Sequence, residues 1–98
     1  MDILVWLSDW YEANCDGDWE HNAGISISSL DNPGWCFKVN ITDTLCSGKL
    51  VSISNFQSEI DWYEIKSDGY TFTAVGDTSK LIFLIEHFRD FVNSSSSK

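Results

Sequence analysis

Hydrophobic and polar positions along this chain follow two different periods in turn. Over residues 3–15 the period is helical: Ile3, Trp6, Leu7, Trp10 and Ala13 fall on one stripe, with Asp2, Ser8, Asp9 and Glu12 off it. Asp2 can cap the first turn, and Asn14 with Gly17 offers a stop. The pattern predicts an amphipathic helix with Trp6 and Trp10 as packing residues. From Gly24 the period is two, with Ile25 and Ile27 alternating with Ser26 and Ser28, and the alternation can be counted from as early as Trp19. Asp31-Asn32-Pro33-Gly34 reads as a turn, because Pro33 fixes φ and Gly34 accepts a positive φ. Trp35, Phe37, Val39 and Ile41 then share one face, opposite Cys36, Lys38 and Asn40. Two antiparallel strands joined by this turn follow.

A third strand is expected over residues 49–55, with Val51 and Ile53 inward. Segments 62–67 and 70–75 flank Asp68-Gly69, a pair favoured in two-residue hairpin turns. Tyr70, Phe72 and Ala74 would point inward, while Tyr63 and Ile65 oppose Trp62 and leave its side of the sheet open. A closing helix over residues 79–93 carries Leu81, Leu84, Ile85, Phe88, Phe91 and Val92 at helical spacing, with Thr78 or Ser79 as its cap. The fold class is therefore α+β: an N-terminal helix, an antiparallel sheet of four to five strands, and a C-terminal helix. Both helices pack on one sheet face, and a meander is the simplest strand order. Residues 1–93 form a single domain, and 94–98 a disordered polar tail.

Composition adds constraints on partners. In 98 residues, 15 acids against six Lys and Arg give a net charge of −9. Such a chain is repelled by phosphate backbones and anionic lipid, so nucleic acid and membrane surfaces are poor partners and a basic protein is a good one. Acidity also serves plain solubility, and composition does not choose between the two. The apolar run of the N-terminus has no basic leader and is cut by Asp9, which fits neither a signal peptide nor a membrane span. Cys15, Cys36 and Cys46 are odd in number and form no Cys-x-x-Cys pair, which fits reduced thiols in a cytoplasmic protein.

The densest chemistry is Cys15-Asp16-Gly17-Asp18-Trp19-Glu20-His21. Asp16, Asp18 and Glu20 alternate like the first ligands of an EF-hand loop. That loop also requires glycine sixth and glutamate twelfth, where this chain has His21 and Ile27. A looser metal site on Asp16, Asp18, Glu20 and His21, or a small metal-dependent hydrolase built on it, is the alternative reading. General acid–base work by Glu20 with His21 fails if the stretch is extended, because neighbours then face opposite ways. His87 sits beside Glu86 on a helix flank. No metal or other cofactor and no catalytic residue is assigned. The third reading is a protein-binding surface, with tryptophans braced at strand ends and carboxylates in the connections that capture Arg and Lys.

Trp6-Leu7-x-x-Trp10-Tyr11, the Cys15–His21 block, Gly24-Ile25 and Leu30-Asp31-Asn32-Pro33-Gly34-Trp35 together resemble the immunity protein 53 family (Imm53) of bacterial polymorphic toxin systems. The resemblance is densest over residues 6–41. It implies a cytoplasmic antidote that neutralises a cognate toxin domain by direct binding and performs no chemistry. Against a nuclease-like toxin, such an inhibitor would place carboxylates where a polyanionic substrate belongs. On this reading Asp16, Asp18, Glu20, His21 and Asp31 contact the toxin's basic surface, with the 31–35 turn near the 16–21 loop. Trp6, Trp10, Gly17, Trp19, Pro33, Gly34 and Trp35 set the fold.

Overall fold

Helix α1, Ile3–Asn14, begins where the Asp2 carboxylate accepts the Leu4 N–H at 2.8 Å, satisfying one of the orphan donors of the first turn. Its stripe buries Ile3 and Leu7 and half-buries Trp6 and Trp10, but Ala13 is exposed. The helix leaves the core before its last turn, and Asn14 closes it by donating its side-chain amide to the Trp10 carbonyl. The structure is a computed structural model describing residues 2–22 and 24–94. After α1 come a single helical turn, α2 (Trp19–Asn22), and strands β1 (Ile25–Leu30), β2 (Gly34–Asn40), β3 (Leu50–Ser58), β4 (Asp61–Asp68) and β5 (Thr71–Gly76). Helix α3, Leu81–Ser94, closes the fold. Ser94, expected in the tail, ends this helix, and residues 95–98 lie outside the described ones.

All five strands form one antiparallel sheet in the order β1-β2-β5-β4-β3. The fold class is the α+β arrangement expected, but the simple meander holds only for β3–β4–β5. The β1–β2 hairpin is joined to that meander through β2 and β5. The connection over residues 41–49 therefore crosses one end of the sheet, past β5 and β4, over about 14 Å. It is pinned there by Ile41 N–H to the Tyr70 carbonyl (2.9 Å) and Gly48 N–H to the Gly69 carbonyl (2.8 Å). Ile41 and Cys46 from this crossing are fully buried and plug that end of the core.

Register assigns the faces. Phe37, Val39, Ile65, Phe72 and Ala74 point to the helix side and are buried; Cys36, Lys38, Trp62, Glu64, Lys66 and Thr73 lie on the open side. Trp62 thus opposes Tyr63 and Ile65. Tyr70 does not point inward. The turn is Gly69-Tyr70, one residue later than expected, with Gly69 at φ +94° and Tyr70 67% exposed. The Asp68 carboxylate accepts the Tyr70 and Thr71 N–H groups, which fixes this register. Gly34 also differs from expectation. It does not adopt a positive φ but begins β2, where a Cβ would meet the Gly76 carbonyl oxygen at 2.3 Å. Its small size serves a close strand approach rather than a turn.

Helix α3 packs across β2 and β5 and against α1, burying Leu84, Ile85, Phe88 and Phe91. The turn before it is organised by Asp77, and Ser79, expected as a cap, donates its hydroxyl to that carboxylate. The Asp77 carboxylate accepts from Ser79 N–H (2.8 Å), Ser79 Oγ (2.6 Å), Trp62 N–H (2.9 Å) and Lys80 Nζ (2.7 Å). Lys80 also pairs with Asp61 at 2.8 Å. Asp77 is 3% exposed, and these donors, Lys80 and Ser79 foremost, hold its carboxyl far below the usual range. Asp61, then Asp77, raises the Lys80 ammonium.

One carboxylate thus ties β4, the end of β5 and α3 together. Asp77→Asn is expected to cost on the order of 2 kcal/mol in urea unfolding. The contribution of a depressed carboxyl is present above its unfolded pKa and lost as pH falls through the folded one. The wild-type advantage over the variant should therefore shrink below about pH 4. An advantage that grew toward acid would contradict this assignment.

Candidate functional site

Between α1 and β1 the chain turns through the loop that begins at Cys15. Cys15 N–H closes on the Glu12 carbonyl, and Gly17 takes φ +97°, a conformation costly for residues with a Cβ. The next residues are not strand, although the alternation can be counted back to Trp19. Local hydrogen bonds take precedence. Asp16 Oδ1 accepts the N–H groups of Asp18 (2.9 Å) and Trp19 (3.0 Å), while Glu20 reaches back to the N–H groups of Asp16 (2.9 Å) and Gly17 (2.7 Å). This reciprocal arrangement is a capping box with one residue added, and it makes α2 a turn of helix. Amide hydrogen bonds lower both carboxyls: for Asp16 from Trp19 and then Asp18, for Glu20 from its own amide and then those of Asp16 and Gly17.

Trp19 fastens this loop to the body. It is 3% exposed, its indole N–H donates to the Asn40 carbonyl at 3.0 Å, and its ring meets Trp10 edge-on with centroids 5.7 Å apart. Tyr11 flanks the same ring at 5.7 Å. Trp10 in turn stands perpendicular to Phe88 at 4.9 Å, so the loop is connected to the centre of the core.

The 31–35 turn does not lie beside it. Trp19 reaches the Asn40 end of the β1–β2 hairpin, whereas Asp31 and Pro33 form its other end, about 20 Å away along the six residues of β1. The length of β1, with the turn at one end and Asn40 at the other, sets this separation. The Asn32–Pro33 peptide is cis, and Trp35, half-buried, donates its indole N–H to the Thr78 carbonyl at 3.1 Å. Asp31 is exposed at the end of the sheet where β4 begins, not at the end that holds Asp16.

Beside the loop, α1 and β1 enclose a groove of about 370 Å³ lined by Leu4, Leu7, Tyr11 and Ile25, with Glu20 at its rim. Leu4 is 50% and Tyr11 38% exposed. Sequence reasoning missed this groove. Its signal was present in Leu4 and Tyr11, apolar residues seven apart and off the buried stripe, which together draw a second line along the helix. The surrounding field is one-signed. The first Lys or Arg of the chain is Lys38, after Asp9, Glu12, Asp16, Asp18 and Glu20, and Asp43 and Asp68 lie at the same end of the sheet. Among the described residues the exposed side chains of Asp18 and His21 make no hydrogen bond or ion pair.

Chemically, the arrangement sets the loop carboxylates next to a groove of mixed polar and apolar lining, which Glu20 enters. It matches a Lys or Arg side chain, whose stem packs on apolar surface while its head stays with carboxylates and water. Asp16 Oδ1 and both Glu20 oxygens are turned onto amides, and among the described residues no three His, Cys, Asp or Glu side chains gather as a metal site. His87 is remote from the loop, half-buried against Phe83 (4.6 Å) and Tyr63 (5.7 Å).

The division of labour within the loop is measurable. Asp16→Ala is expected to speed amide exchange at Asp18 and Trp19 and to shift Trp19 fluorescence, whereas Asp18→Ala leaves both unchanged. Equal exchange in the two variants would show that the cap does not hold the loop.

No curated protein matches the chain, and no solved structure does. The family model of immunity protein 53 matches residues 4–93, nearly the whole chain, including α1, the loop, the groove and the sheet. The chain belongs to the immunity protein 53 family, Imm53.

Proposed function

We propose that this protein is a cytoplasmic antidote that neutralises a cognate polymorphic toxin domain by direct protein–protein binding, without chemistry of its own. The observation that carries the reading is the hydrogen-bonded carboxylate loop beside the α1–β1 groove. Two of its acids are locked by backbone amides, a third, Asp18, stands unpaired in solvent, and all are seated on a buried tryptophan. A surface already ordered before binding loses little conformational entropy on association. The partner's chemistry follows from the rim: a toxin face rich in Lys or Arg, with an apolar or long side chain to enter the groove. Asp16, Asp18, Glu20 and His21 are the contacts assigned to it. Asp31, at the far end of the hairpin, would belong to the same interface only if the toxin spans the length of β1.

Asp18 separates binding from folding, because its side chain supports nothing in the loop. Asp18→Lys is expected to slow association with the toxin domain by about 10-fold at low salt while thermal unfolding stays unchanged. The wild-type on-rate should fall as ionic strength rises from roughly 50 to 500 mM. An on-rate insensitive to both changes would remove this surface from the interface.

A further inference from the structure

We propose that β3 is a self-pairing edge through which two copies of this chain join into one continuous antiparallel sheet. β3 is nine residues long and is the outermost strand, paired on one side to β4 and open along the other. Helix α3 covers β2 and β5 and stops short of it, so the strand is exposed on both faces. Edge strands usually carry Lys, Pro or inward charges that block addition of another strand. Leu50-Val51-Ser52-Ile53-Ser54-Asn55-Phe56-Gln57-Ser58 has none of these. Its one irregularity, between Phe56 and Ser58, leaves the ladder regular from Leu50 to Phe56.

The exposed apolar residues are placed for a two-fold. Leu50 (69% exposed) and Phe56 (70%) share the open face, and Ile53 (38%) lies on the helix face at the midpoint between them. Antiparallel pairing with the axis through Ile53 sets Ile53 against its counterpart. The same register sets each Leu50 opposite Phe56 of the second copy, on the face they share. On the helix side the incoming Ile53 meets an apolar trough lined by Val51, Ile65, Phe72 and Phe91. Charge favours a second copy over a basic partner here. Two chains of net charge −9 repel over most of their surface, but the strand is neutral between Lys49 and Glu59, and the two-fold brings these opposite flanks toward each other.

Sedimentation velocity over roughly 1 to 100 μM tests this. A dimer of the 11.1 kDa chain is expected, and a monomer throughout overturns the proposal. Leu50→Glu and Phe56→Lys, each at an exposed position, should each weaken the dimer by about 100-fold, since each sets a charge against an apolar side chain. Combined in one chain they face each other across the two-fold and should restore it. A dimer that survives the single changes, or a double variant that stays monomeric, rules out this pairing. Amide exchange of wild-type β3 offers a variant-free check. Protection of β3 should rise with concentration, and protection that does not change counts against the edge. None of these readouts involves a toxin, so they stand apart from the proposed antidote function.

Discussion

The ring of Phe88 is where the layers of this protein meet. It is fully buried, with Trp6 at 6.0 Å and Trp10 at 4.9 Å on one side and Phe37 at 5.6 Å and Phe72 at 5.0 Å on the other. The two helices come from opposite ends of the chain. What keeps α1 against α3 and both over the sheet is this set of edge-to-face and tilted contacts, each worth about 0.5–1.5 kcal/mol beyond area burial. The same chain of rings, from Phe88 through Trp10 to Trp19, carries the core's rigidity outward to the acidic loop. The loop's carboxylates are therefore placed by tertiary packing and only oriented by their own caps.

That dependence divides the surface. Because two helices cover the middle of a five-strand sheet, the outer strands receive less cover, and each margin has acquired its own chemistry. At β1 the gap beside α1 becomes a groove with an anionic rim. At β3 the margin is uncharged, with Leu50, Ile53 and Phe56 exposed among serines and amides. The order β1-β2-β5-β4-β3 sets these margins four strands apart, about 19 Å. Pairing along β3 would therefore leave the acidic end open to a partner, and a dimer would present two such ends. On this view the net charge of −9 both attracts a basic protein and disfavours self-association away from uncharged surfaces such as β3.

Much of this was legible in the sequence where a residue's role depends on its immediate neighbours. The helical stripes of α1 and α3 and the alternation of Trp35, Phe37 and Val39 state their buried faces directly. Strand order was not legible, because β2 pairs with β5 across a crossing whose only local hints are Ile41 and Cys46. Asp77 looked like one acid among many. Its role depends on Trp62 and Lys80 converging from other elements. The 16–21 segment was legible as a site but not as a shape: alternation suggested strand, while Asp16 and Glu20 had local amides to accept and made a helical turn. Asp31 belongs to a second motif, residues 30–35, expected near the first, yet the hairpin carries it to the opposite end.

The account rests on the loop and groove at the Asn40 end being the surface that meets the toxin. Amide hydrogen exchange of the protein with and without its cognate toxin domain tests this most directly. The account predicts slowed exchange at residues 16–22 and along Leu4, Tyr11 and Ile25, with β3 and β4 unaffected by the toxin. Protection confined to the 31–35 turn or the open sheet face, with residues 16–22 unchanged, would contradict it.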